Sequence, residues 1–211
     1  MKAKMFSGFT RVELLVLVVI CVVILFILLP GLLRPARHVS SQLTCSVNLR
    51  QFAFASQMFE RGHAGYPWMV STNQGGTEEF DFLGEETFRH FQVLSNDIYV
   101  TIGLICPQDA RLAATNWGSL VNTNVSYFVG IDSRPDLPTS IVAGDRNIAP
   151  VSSVILSASQ SASPSWIKGM GLHRDRGNIA FDDGHVEEMD SVGLSDAIQR
   201  TGIATNHFAV P

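Results

Sequence analysis

Apolar and polar residues follow three different patterns along this chain. Residues 12–29 are apolar with a single charge, Glu13, at the start of the run. At the helical rise these 18 residues span about 27 Å, just enough to cross the hydrocarbon core of a bilayer. Beyond Pro30-Gly31 the pattern turns amphipathic. Leu32, Ala36, Val39, Leu43, Val47, Phe54 and Met58 recur at spacings of three, four or seven, which trace one face of a helix. Arg34, Arg37, Ser40, Ser41 and Gln57 fill much of the remainder. One helix is therefore predicted from residue 9 to about residue 61, with Gly62 just past its end. Pro30, which removes a backbone donor, is expected to kink it where the apolar run stops. The rest of the chain should cover the amphipathic stripe.

After Gly62 the texture changes again. Residues 63–68 and 71–77 are rich in turn formers, and residues 85–94 read as a short helix. Strands are predicted over residues 99–102, 104–107, 125–129 and 140–143, where β-branched and aromatic residues lie between Gly, Pro and Asp. Residues 178–182 and 185–189 flank Asp183-Gly184, the strongest local hairpin signal in the chain. Residues 195–200 read as a last short helix, followed by a loose tail after Gly202. The expected fold class is α+β: a long N-terminal helix, half membrane-spanning (about residues 12–30) and half amphipathic, packed on an antiparallel β-sheet head of residues 62–211.

Length and charge sharpen this picture. Of 211 residues, about 150 follow the helix, enough for one globular domain with a real core. Formal net charge is −4, and an acidic head argues against nucleic acid as a partner, because phosphate binding needs a basic patch. Residues 1–8 carry Lys2 and Lys4 but have no apolar core of their own, and no Ala-x-Ala site follows the apolar run. Any cleavage is therefore expected before that run, leaving it on the mature chain. An acid at the head of a membrane segment is costly unless something pairs with it, so Glu13 is a functional signal.

At these residues a resemblance is specific. Gly8, followed by Phe9-Thr10-x-x-Glu13 and an apolar helix, resembles the N-terminus of type IV prepilins and type II secretion pseudopilins. Counted from Phe9, Glu13 is fifth and Pro30 twenty-second, the places where that family has its glutamate and its kinking proline. Arg11 departs from the family, where an apolar residue is commoner; its guanidinium can snorkel to the headgroups. The resemblance implies cleavage after Gly8 by a prepilin peptidase and N-methylation of Phe9. It also implies pairing of Glu13 with the Phe9 amine of a neighbouring pilin-like subunit in a helical filament. The subunit would be held in the inner membrane, single pass with its head in the periplasm, until it joins a pseudopilus or cell-surface fibre. Flanking charges say little about orientation, since Lys2, Lys4 and Arg11 are nearly balanced by Arg34 and Arg37.

Of the three cysteines, Cys21 lies in the apolar run and reads as a small hydrophobe. The contexts of Cys45 (before Asn48-Leu49-Arg50-Gln51) and Cys106-Pro107 also resemble this sequence type. In an exported head they form either a disulfide, with a gain of about 4 kcal/mol for a loop of this length, or two free thiols. No C-x-x-C or paired Cys/His spacing is present, so no structural zinc site is expected.

His173 and Asp183-Gly184, nine residues apart, resemble the His-x9-Asp-Gly segment of a pilin-like family, whose biochemical role is poorly defined. Gly144-Asp145-Arg146-Asn147 resembles another recurrent feature of it and reads as a tight turn, with Asp145 and Arg146 paired internally or capping neighbours. His173, Asp183 and Gly184 are expected to be structural, the glycine supplying positive φ to the hairpin. A calcium ion on Asp182 or Asp183 is the cofactor alternative; otherwise no cofactor is expected. Phosphate-binding and serine-nucleophile motifs are absent. Tyr66, Trp68, Trp117, Tyr127 and Trp166 are too scattered to define a carbohydrate-binding face and read as packing residues. A structural subunit, not an enzyme, is therefore expected. The rival is a membrane-anchored binding module or hydrolase built on His173 and Asp183.

Overall fold

The computed structural model describes residues 10–80, 85–149, 154–157, 164–169, 172–173 and 175–211, without the side chains of residues 30–40 and 154–157. The chain divides into two units, Met1–Ser40 and Ser41–Pro211. The leader and the cleavage-site pair Gly8 and Phe9 lie outside the described residues. Helix α1 runs Arg11–Gly62 and stays helical through Pro30. In the first unit, Arg11–Leu29 is long and apolar enough to cross a membrane, and none of it is buried.

The second unit is α+β. Among its described residues it contains α1 from Ser41 on, α2 (Phe88–Gln92), α3 (Ser191–Arg200) and eight strands. The strands are β1 (Tyr127–Gly130), β2 (Ile141–Asp145), β3 (Ile148–Ala149), β4 (Val154–Ser157), β5 (Ser165–Trp166), β6 (Gly177–Phe181), β7 (Val186–Met189) and β8 (Thr205–Ala209). Six form one sheet in the order β4-β8-β1-β2-β6-β7, antiparallel throughout, and β3 pairs with β5 apart from it.

Both faces of this sheet are covered. Cys45, Leu49, Phe52, Ala53 and Phe59 of α1 pack with Tyr66, Trp68, Phe91, Tyr127, Val129 and Ala180. On the other face Phe128, Ile179, Phe181 and Phe208 pack with Leu194, Ala197 and Ile198 of α3. Tyr127 and Phe128 therefore serve opposite layers, as the two-residue repeat of a strand requires. Helix α3 begins earlier than its sequence signal because Asp190 caps it, accepting from the Gly193 N–H at 2.9 Å. The turn residues Asp182, Asp183 and Gly184 join β6 to β7, with Gly184 at φ +83°. Gly184 N–H donates to Phe181 O, and Phe181 N–H to His185 O, both at 3.0 Å; this is the three-residue hairpin closed by a glycine bulge.

Three expectations are corrected. Leu43, Val47, Phe54 and Met58 do not face the core; they are exposed, Leu43 at 65% and Met58 at 56%. At 100° per residue the buried set lies on the opposite side of the helix. Leu32, Ala36 and Val39 are outside the described side chains. The strands expected at residues 99–107 do not form: Thr101–Leu104 is a 3-10 turn. It is held by Ser126 N–H donating to Leu104 O (2.8 Å) and Thr101 Oγ1 to Ala114 O (2.6 Å), with Tyr99, Val100 and Ile102 exposed. The segment after Gly202 is not loose, since it contains β8, inserted between β4 and β1. Its polar Asn206 and His207 interrupt the apolar signal, yet Asn206 and Phe208 are both buried.

Candidate functional site

At the head of α1, Thr10 and Glu13 bond to each other reciprocally. Glu13 Oε2 accepts from the Thr10 N–H (2.9 Å) and Oγ1 (2.8 Å), while the Glu13 N–H donates to Thr10 Oγ1 (3.3 Å). Thr10 O also receives the Leu14 N–H at 3.1 Å. This is a capping box, with Thr10 as N-cap and Glu13 at the third helical position, and it satisfies donors that the first turn leaves unpaired. The Thr-x-x-Glu spacing of residues 10–13 is the local sequence signature of this box.

The deepest polar cluster lies under the other half of the helix. Four elements contribute to it: Cys45 from α1, Cys106 from the loop after the 3-10 turn, Asp145 from the end of β2 and His173 from the loop before β6. One donor atom from each lies within 4.8 Å of the other three. Cys106 Sγ is 3.3 Å from His173 Nε2, which is 3.4 Å from Asp145 Oδ2. Cys45, Cys106 and Asp145 have 0% exposure and His173 has 1%. Both cysteines are free thiols, in hydrogen-bonding contact with each other.

Neighbouring side chains hold these donors in place. Asn178 donates twice to Asp145 Oδ2, from its backbone N–H (2.7 Å) and its Nδ2 (2.8 Å). Ser46 Oγ in turn donates to Asn178 Oδ1 at 3.1 Å. The His173 N–H donates to Gln108 Oε1 at 3.0 Å, and its backbone sits at φ +42°, unique among the described non-glycine residues. Such strain persists only where surrounding contacts over-determine it. A Cβ on Gly144 would fall 2.6 Å from the Phe128 ring, so only glycine lets the backbone beside Asp145 run this close. Arg146 turns away from Asp145 and grips Asp109 through Nε (2.7 Å) and Nη2 (2.8 Å). The internal Asp145–Arg146 pairing expected from sequence is thus replaced by a bidentate bridge that ties the Cys106 loop to the end of β2.

The electrostatics follow from burial and proximity. The hydrogen bond from Cys45, and then the one to His173, pull Cys106 down to about 5, while its bond to Cys106 and burial push Cys45 up. Burial raises Asp145 to about 7. Burial alone would lower His173, but its bond to Cys106 and the charge of Asp145 outweigh it, and the net shift is upward. Asp145 Oδ1 and His173 Nδ1 have no hydrogen-bond partner among the described residues.

The His-x9-Asp-Gly segment is divided between two places. His173 joins the buried cluster, whereas Asp183 is exposed and accepts from the His185 N–H at 3.0 Å and contacts the His185 ring. Burial and the bonds from His185 act oppositely on Asp183, and the net shift is downward. The structure therefore does not bring His173 and Asp183 together as one catalytic pair. Asp182 turns the other way, accepting from the Tyr66 hydroxyl through its side chain and from Gln57 through its carbonyl. These two carboxylates take separate partners. Comparisons with protein-family models, curated proteins and solved structures give no match to this chain.

Gly184 meets α1 directly. Arg50 Nε donates to Gly184 O at 3.3 Å, and a Cβ on that glycine would lie 3.0 Å from the Phe54 ring. Of the aromatics, Tyr66, Trp68, Tyr127 and Trp166 are buried, and Trp117 is partly buried against the same core. Asp145 was the donor that sequence reading placed wrongly, because its partners lie 28 and 33 positions away in the chain at His173 and Asn178.

Proposed function

We propose that this chain is a pilin-like structural subunit, cleaved after Gly8 and N-methylated at Phe9, that assembles into a type II secretion pseudopilus or a type IV pilus-like fibre. The observation that carries this reading is the apolar surface of α1. Every described side chain of Arg11–Leu29 is exposed, and in the folded unit Leu43, Val47, Phe54 and Met58 form a second apolar strip facing outward. Lipid can cover the first surface, and neighbouring helices can cover both. Helices that pack side by side are the arrangement such a stripe suits.

Glu13 has two uses in this reading. One oxygen caps the helix through Thr10; the other is assigned to the Phe9 amine of the adjoining subunit. Each charge then compensates the other in lipid, where an unpaired one is costly. The head stays outside the filament core and supplies the outer surface, held in the periplasm before assembly.

Mass spectrometry of the N-terminal peptide from native membranes tests the proposal. A peptide beginning at methylated Phe9 is expected. An intact leader in cells with an active prepilin peptidase would rule the reading out.

A further inference from the structure

We infer that Cys45, Cys106, His173 and Asp145 form a closed structural zinc site that joins α1 to the sheet and to the loop before β6. This inference stands independently of the pilin-like reading, since it uses only the folded unit.

The donor set suits this ion. Two thiolates, an imidazole and a carboxylate are ligands that zinc accepts together. Calcium and magnesium take oxygen ligands, so two buried sulfurs argue against them. Ligands held tetrahedrally at zinc's ordinary bond lengths lie about 3.3–3.8 Å from one another. The Cys106–His173 and His173–Asp145 separations, 3.3 and 3.4 Å, match two edges of such a tetrahedron.

A metal also accounts for features that a Cys45–Cys106 bridge leaves unexplained. A bridge would occupy two of the four groups and leave a fully buried carboxylate facing an imidazole with no common centre. A charge buried in such a place is costly unless it is fully compensated. With zinc in the centre all four donors have one function, and Asn178 becomes the outer residue that orients the carboxylate. The strained backbone of His173, anchored by Gln108, then serves to aim the ring inward. Loading displaces the thiol protons to solvent as zinc–sulfur bonds form, with no change of oxidation state. Since the donors have almost no exposed surface, the ion must enter as the domain folds and should leave only when it opens.

The test uses the full chain purified in mild detergent without chelator. Elemental analysis, intact mass and thiol counting after denaturation without reductant are measured together. The expected result is one zinc ion per chain, with the thiols of Cys45 and Cys106 becoming reactive once the ion is chelated. Refolding with cobalt(II) in place of zinc should give the visible bands of a tetrahedral thiolate complex, and these should be lost in Cys106→Ser. Asn178→Ala, which keeps all four donors, should weaken zinc binding by about 10–100-fold. Metal-free protein whose mass is two hydrogens lower, with these thiols unreactive, would overturn the inference in favour of a disulfide. Free thiols in a folded chain that takes up neither zinc nor cobalt would overturn it equally. Because the cobalt spectrum is read on the unaltered chain, the result survives any variant that fails to fold.

Discussion

Along α1, Arg11–Leu29 leaves every described side chain exposed, whereas the turns beyond Ser41 bury Cys45, Leu49, Phe52, Ala53, Ser56 and Phe59 against the sheet. Apolar character does not separate these two stretches. The second even carries Leu43, Val47, Phe54 and Met58 on its outward side, and these are as apolar as the residues it hides. What differs is the presence of a partner surface. Tyr66, Trp68, Phe91, Tyr127 and Val129 offer one to the inner side of the second stretch, while among the described residues the first stretch is covered by none. An apolar face without a partner inside the molecule marks where lipid or another molecule is needed.

The comparison can be broken most severely from the buried side. Phe52 packs its ring 4.4 Å from that of Phe91 and 6.1 Å from that of Trp68. Phe52→Ala should destabilise the folded unit by about 3–5 kcal/mol, measured by denaturant unfolding of the full chain in detergent, with the helicity of the apolar stretch retained. Acid gives the next largest effect. Burial holds His90 down to about 4 from an ordinary 6.5. A histidine depressed on folding contributes stability above its unfolded value and loses it as pH falls. Unfolding free energy should therefore drop by roughly 1.4 kcal/mol per pH unit between about 6.5 and 4, and His90→Gln should flatten that slope. The smallest effect on stability belongs to the outward stripe. Met58→Gln should change unfolding free energy by no more than about 0.5 kcal/mol while reducing fibre yield in an assembly assay. If stability falls as much as for Phe52→Ala, the stripe is part of the core after all.

Several elements were legible because their signal is local. The apolar run announces itself by length, Asp183-Gly184 by turn chemistry, and the residues of β1 and β2 by aromatic and β-branched density between turn formers. The buried side of α1 was misread for a physical reason. Periodicity reports which residues share a face, but this helix has two apolar faces, and the sequence favoured the stripe of large side chains at regular spacing over the mixed set of Cys45, Leu49, Phe52, Ala53 and Ser56. The cluster around His173 was hidden for a related reason. Its four donors are separated by 61, 39 and 28 positions in turn, and only the docking of α1 against the sheet gathers them. Short-range ligand spacing finds sites built on one turn or hairpin and cannot find one assembled across layers. Arg146 misled in the same way, because its partner Asp109 is near it only after folding.

β8 lies between β4 and β1 although it follows every other described strand in the chain. A growing polypeptide presents α1 long before Thr205–Ala209, so until β8 emerges one side of β1 and the whole of β4 lack their partner strand among the described residues. Sheet closure is therefore an event in time that waits for β8, and every contact that spans the gap is long-range and slow to form. A chain interrupted before that strand would retain its apolar helix and lack a closed sheet, so the surface that seeks a partner would exist before the fold that buries the rest.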